Sequence, residues 1–350
     1  MSELDYDLPP ERIAVHPAEP RDHSRLMVVH RADGHVEHRR FHDLPEYLQA
    51  NDLLVVNDTR VIPAKLELRK ETGAAIPGLF VRELEPGLWE VMLRTRGRAK
   101  AGDYLIAGRF RFLLEERLAD KGMWRMRVEP ALTASVVLPE IGHVPLPPYI
   151  EKMRHANTPD TEQFDRQHYQ TVYAREGKSV AAPTAGLHFT PDLLNRIDTM
   201  GVRRVGVDLE VGLGTFLPVE TDTLEDHRMH IEEYAIPAAT IDAIRRQRAC
   251  GGRIVVVGTT AVRTLESAAS QILASSPPTD IRGSTDLKIS PGFSFQLTDV
   301  LITNFHLPRS TLMALVGALV GVERLKQLYA LAVQEGYRFY SYGDAMLILP

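Results

Sequence analysis

The spacing of apolar residues changes along the chain, and each change predicts a different kind of structure. Residues 1 to about 60 are mixed and close on DLLVVND (Asp52–Asp58), an apolar run that reads as a strand entering a polar turn. From 61 to about 150, short runs rich in β-formers alternate with turns that carry Gly or Pro: AKLELRKETG, GLFVRELEPG, LWEVMLRTRG, DYLIAGRFRFLLEE and MWRMRVEP. That rhythm predicts a small all-β barrel or sandwich. PLPPYI (Pro145–Ile150) reads as an extended exit linker, because the residue before a proline is pushed out of the helical region.

From about 160 onward, strands and helices alternate. PDLLNRIDTMG enters on Pro191 and stops at Gly201, as a helix should. VRRVGVDLEVG reads as a strand, AATIDAIRRQRACGG as a helix and RIVVVG as a strand apolar on both faces. A helix follows from Thr259 or Thr260, then the strand DVLITN, the helices RSTLMALVGALVG and ERLKQLYALAVQEG, and a closing strand AMLIL. The predicted fold is α/β. A larger α/β domain is built from both ends of the chain, 1–60 and 151–350, with a small barrel-like all-β domain inserted at 61–150.

Composition narrows the class. At 350 residues, with 44% hydrophobic and 25% charged residues, the chain is long enough for two cores and ordinary for a soluble protein. The acidic start MSELDYDLPPER does not read as a signal peptide, and the most apolar window, TLMALVGALVG, is too short for a bilayer. Cys250 is the one cysteine, which excludes an internal disulfide and a cysteine-based metal cluster. A cytoplasmic protein without a membrane partner is expected. The net charge of −5 argues against wholesale coating of nucleic acid. RTRGRAK nevertheless sets Arg94, Arg96, Arg98 and Lys100 at alternate positions, hence on one side if the segment is a strand.

The candidate chemistry lies in polar turns where strands hand over to helices, the places where ligands gather in α/β sheets. NDTR (Asn57–Arg60), GTTAVR (Gly258–Arg263), NFHLP (Asn304–Pro308) and APTAGLHF (Ala182–Phe189) are such turns, and each also reads as plain cap or turn chemistry. His188, His306 and the EDHRMH cluster, with Asp226, His227 and His230, supply groups for proton transfer near neutral pH. No metal is expected, because nothing completes a ligand set around His227 and His230. VDLEVGLGTFLPV (Val207–Val219) has the look of a nucleotide loop, with Glu210 ahead of Gly212 and Gly214. Such a loop must open a helix, whereas Gly214 is followed by TFLPVETDTLEDH, which has no helical period.

Taken in order, YDLP, RLMVV, VVNDTRVIPAKL, GHVPLPPYI, YQTVYA, SVAAPTAGLHFT, VGLGTFLPV, EDHRMHIEEYAIP, VVVGTTAVRTLES, TNFHLPRSTLM and YRFYSYGDAMLIL resemble, from end to end, the S-adenosylmethionine:tRNA ribosyltransferase-isomerase family. The resemblance implies an α/β domain with an inserted β-barrel; a monomer is expected. The implied enzyme has no permanently bound cofactor and takes S-adenosylmethionine (SAM) as co-substrate. Its partner is a tRNA whose wobble base is 7-aminomethyl-7-deazaguanine; the ribosyl part of SAM is transferred and isomerised onto that base, giving epoxyqueuosine, adenine and methionine. Acid–base candidates are His188, Asp226, His230 and His306, with no role assigned among them. Residues expected around SAM are Asn57, Thr59, Thr184, Gly212, Gly214, Thr259, Thr260, Asn304 and Asp344. Phe189, Phe216, Phe305 and Tyr342 would be aromatic neighbours of the sulfonium. Arg60 and Arg263 would hold the methionine carboxylate or a tRNA phosphate, and the basic run 94–100 would track the anticodon stem.

The chain departs from the family pattern where Thr-Leu-His-Val usually precedes the glycines. Asp208, Leu209, Glu210 and Val211 stand here, so Glu210 would have to replace an imidazole as base. Ala261 stands where Ser is common, Ala75 and Pro77 replace the usual lysine and glutamate, and Lys65 replaces Arg, losing a bidentate fork. Two other readings follow: a tRNA-binding paralog that has lost catalysis, and a SAM-dependent methyltransferase.

Overall fold

The computed structural model describes residues 2–95, 99–154, 162–212, 223, 224, 226, 227 and 229–350. Contacts divide the chain into two compact units, one of residues 1–60, 148–158 and 168–350, the other of 61–147 and 159–167. The first unit opens with β1 (Arg25–His30), β2 (Val36–Arg40) and β3 (Leu53–Asn57).

The second unit is an antiparallel barrel. Its strands are β4 (Lys65–Lys70), β5 (Ala75–Glu85), β6 (Leu88–Leu93), β7 (Tyr104–Ala107), β8 (Phe110–Arg117) and β9 (Met123–Glu129). They run in the order β4-β5-β6-β9-β8-β7, and pairing of Arg69 and Lys70 with Ile106 and Leu105 closes the ring. A short β10 (Gly142–His143) adds to the outside of β4. Period-2 alternation drives it: Leu66 and Leu68 of β4 are buried while Glu67 and Arg69 are exposed. Trp89 fills the centre against Phe80 and Phe112, with ring centroids 5.0 and 5.9 Å away.

Two sequence expectations change here. β6 stops at Leu93, one residue past its last pair with β9, Met92–Met123, and Arg94 N donates to the Pro77 carbonyl (2.9 Å). Arg94 and Lys100 therefore lie in exposed connections rather than on one strand face, and Arg96 and Arg98 lie outside the described residues. The exit segment is also not extended throughout, since Pro148 opens a helix, Pro148–Met153.

The first unit completes one nine-stranded sheet with β11 (Arg203–Leu209), β12 (Glu232–Ile236), β13 (Ile254–Val257), β14 (Ile281–Thr285), β15 (Val300–Asn304) and β16 (Ala345–Leu349). The order is β14-β12-β11-β3-β13-β15-β16-β1-β2. β11, β3, β13 and β15 are parallel neighbours. Both faces are covered. Leu53 and Val55 pack with the helices Ala238–Ala249, Thr259–Ser267, Thr311–Val320 and Val322–Gln334. Leu54 and Val56 face the helix Pro191–Thr199 and the 3-10 helix Phe41–Tyr47. Each such fully buried side chain contributes about 1.5–3 kcal/mol. The protein is thus an α/β fold with an inserted closed barrel. Among the described residues no helix is long and apolar enough to cross a membrane.

This topology sets the site. The carboxyl ends of the parallel strands come to one edge of the sheet. β16 runs antiparallel to β15, and β1 parallel to β16, so the amino ends of both strands reach the same edge.

Candidate active site

At the end of β15, Asn304 is 2% exposed and organises a buried network. Its Nδ2 donates to the Tyr340 carbonyl (3.2 Å), and its Oδ1 accepts from Thr184 Oγ1 (3.1 Å). A carbonyl only accepts, so the amide orientation is set. The same Nδ2 lies 3.1 Å from His188 Nε2, which must accept; His188 Nδ1 then carries the proton and donates to Ser24 Oγ at 2.8 Å. Burial, with smaller contributions from Arg338 and Arg21, lowers the His188 pKa to about 3, so the ring is neutral. Tyr340 holds a left-handed φ of 73°, a conformation that costs a non-glycine residue about 1–3 kcal/mol. Asp344 ties this edge together: Oδ1 accepts from Arg25 N (2.8 Å) and Oδ2 from Arg338 N (2.7 Å).

His306 is also held internally. Its Nε2 lies 2.9 Å from Thr303 Oγ1, its N–H donates to Tyr329 Oη (3.0 Å), and its carbonyl accepts from Tyr6 Oη (2.6 Å). Burial lowers its pKa to about 3. Phe189 and Phe305 are core residues at 0% exposure, packed on Phe41 and on Tyr329, Tyr337 and Phe339 respectively, so neither ring faces an open space. Tyr342 lines a small cleft with Arg21, His188 and Ser341.

At the end of β3, Asn57 acts as a strand extender. Its Nδ2 donates to the Leu209 carbonyl and its Oδ1 accepts from Leu209 N, both at 3.2 Å, while Thr59 N donates to the same oxygen. Arg60 clasps the neighbouring loop, giving Nε to the Arg175 carbonyl (2.7 Å) and Nη2 to that of Ala174 (3.0 Å). Arg263 is 6% exposed, pairs with Glu232, and gives Nε to the Leu287 carbonyl (3.0 Å). Among the described residues its Nη2 and Thr260 Oγ1 are buried without a protein partner. Thr259 is buried at the start of the same helix.

β11 carries the acidic positions. Val207, Leu209 and Val211 are buried in the core, so alternation turns Gly206, Asp208 and Glu210 to the opposite face. Asp58, just beyond β3, reaches that face: a Cβ placed on Gly206 would stand 2.0 Å from its Oδ2. Burial raises the Asp58 pKa to about 6, against Arg175 and with help from Asp208. Glu210 is half-buried, anchored through its N–H to the Glu233 carbonyl at 2.9 Å. Its pKa is raised by burial, then by Asp208 and Glu233, with Lys178 pulling the other way. Gly212 N donates to Glu232 Oε1 (3.2 Å). Asp226 and His230 are exposed, and the Asp226 carboxylate accepts from Thr223 Oγ1. Gly214 and Phe216 lie outside the described residues.

The structure thus brings His188, Thr184 and Asn304 into one hydrogen-bonded network at the edge that Asp344 braces, and sets Asn57 on Leu209, the residue before Glu210. Among the described residues no hydrogen bond links either group to Asp226 or His230. Sequence reasoning did not single out Ser24, Asp58, Tyr173 or Arg204; only Asp58, inside the turn NDTR, had a local signal.

The comparisons agree over the full length. The family model described as "Queuosine biosynthesis protein" matches residues 1–348. An S-adenosylmethionine:tRNA ribosyltransferase-isomerase of Desulfitobacterium hafniense is 47% identical over 353 residues, covering 100% of this chain and 99% of its own. One of Thermus thermophilus is 49% identical over 362 residues, with 99% and 98% covered. The crystal structure of S-adenosylmethionine tRNA ribosyltransferase from Thermotoga maritima matches with a TM-score of 0.56 at 37% identity, covering 99% of this chain and 100% of that one.

Proposed function

This chain belongs to the queuosine biosynthesis protein family, and from that premise we propose that it is a tRNA ribosyltransferase-isomerase that uses SAM as ribosyl donor. Its substrate is 7-aminomethyl-7-deazaguanine at the tRNA wobble position, and its products are epoxyqueuosine-tRNA, adenine and methionine. The observation that carries this reading is full-length similarity, on both sides of the alignment, to relatives named S-adenosylmethionine:tRNA ribosyltransferase-isomerase.

The reaction needs a base for a C5′ proton that the sulfonium has acidified. Glu210 suits it: half-buried just past the end of β11 and anchored by its N–H, its carboxylate is a stronger base than one in water. His188 is neutral with both ring nitrogens engaged, and acts as a positioning residue for the Asn304 network. Arg94 and Lys100, exposed on the barrel unit, contact the tRNA backbone without reading sequence.

Incubation with SAM and tRNA carrying the aminomethyl base should release adenine and give epoxyqueuosine, read by mass spectrometry. Glu210→Gln should lower kcat by roughly 10²–10⁴-fold, the usual worth of a general base. No adenine from the unaltered protein would refute the activity. Retained, salt-sensitive tRNA binding would then favour the non-catalytic paralog, and S-adenosylhomocysteine as product would mark a methyltransferase.

A further inference from the structure

Two polar atoms beside β11 are buried without a partner among the described residues, Tyr173 Oη and Arg204 Nη1. Both residues line one cavity of about 190 Å³, together with Asp58, Arg175, Val56 and Gly206. At about 30 Å³ per molecule that is room for about six waters, or for a small amino acid. Burial raises the Tyr173 pKa, so its hydroxyl stays protonated and can donate. Arg204 is engaged at Nη2 by Asp198, 3.4 Å away, which leaves Nη1 for something else.

One carboxylate, that of Asp58, lines the same cavity. Asp58 has Arg175 at 3.4 Å, but that guanidinium is 78% exposed and compensates a buried charge weakly. Gly206 makes room for Asp58, whose carboxylate stands where a side chain at that position would begin. Donors for a carboxylate and an acceptor for a cation line the same cavity, and that combination matches an α-amino carboxylate. A phosphate would be repelled by Asp58, and a simple amine would leave Arg204 and Tyr173 unused.

We propose that this cavity binds the methionyl end of SAM, with its carboxylate on Arg204 and Tyr173 and its ammonium on Asp58. The assignment rests on the function proposed above. It also fits the placement of the base: Gly206 to Glu210 is about 13 Å along the strand. The methionyl chain, the sulfonium and the glutamate side chain together bridge that span.

Titration calorimetry on the full chain tests it with three probes: SAM, L-methionine, and 5′-methylthioadenosine, which lacks the amino-acid group. Tyr173→Phe keeps the ring contact with Phe189, and Arg204→Gln removes the charge. Each should weaken SAM and L-methionine by on the order of tenfold or more, the worth of a hydrogen bond to a charged group, and leave 5′-methylthioadenosine unchanged. Unchanged binding of SAM or of L-methionine in both variants would overturn the proposal, as would equal weakening of all three probes. Failure of the tRNA reaction with amino-acid binding intact would count against the activity and not against this pocket.

Discussion

Asn304 decides the state of His188. Because its Nδ2 must serve the Tyr340 carbonyl, it offers the imidazole a donor, and Nε2 stays unprotonated. The consequence is measurable as a pH dependence. His188 and His306 have folded pKa values of about 3, below the 6.5 of an unfolded histidine, so the unfolded chain takes up the protons first. Stability is complete above pH 6.5 and falls as the pH drops toward 3, by about 1.4 kcal/mol per pH unit for each ring. Thermal unfolding between pH 7 and 4 should show this, and His188→Gln should have the shallower slope by one ring's share. An unaltered slope in that variant would refute the buried neutral imidazole. The turns APTAGLHF and NFHLP marked both residues as candidates, yet the pairing joins positions 116 apart in the chain, which no local pattern encodes.

At the scale of elements, the hinge of the site is the junction of β3 and β11. Past Asn57 one backbone bond, from Asp58 N to the Val207 carbonyl (2.9 Å), joins the two strands, and the Asn57 side-chain amide adds two more to Leu209; Glu210 follows directly. Asn57→Ala removes the amide's bonds at a fully buried position and should cost about 2–4 kcal/mol. It should also raise amide exchange at 208–210 and lower kcat; unchanged exchange there would show that the amide is not what holds the strand end. That β11 is a strand was legible, whereas the face that carries Glu210 came from the burial of Val207, Leu209 and Val211. The strands β2 and β14 were not, and both are sheet edges. Their exposed sequences, VEHRR and IRGST, lack an apolar stripe because one side has no neighbour, and polar residues there discourage pairing with other chains.

For the whole molecule, charge distribution matters more than its sum. A net −5 chain can bind tRNA only through local cations. Replacing Arg94 and Lys100 together with alanine should lower tRNA affinity and flatten its salt dependence, by about one in log–log slope for each phosphate left without its cation. L-methionine binding should stay as it was. An unchanged salt slope would move the tRNA surface elsewhere. The sequence alone determined the two textures, because periods of 2 and 3.6 are local physics, and the order of its motifs from end to end determined the family. Tertiary structure decided which polar residues are committed and which are open. Asn57, Arg60, His188 and His306 have partners inside the protein. Tyr173 and Arg204 instead keep polar atoms without one among the described residues. A side chain's hydrogen-bonding capacity is written in its type. Whether that capacity is already taken depends on strands from distant parts of the chain meeting at one edge of a sheet.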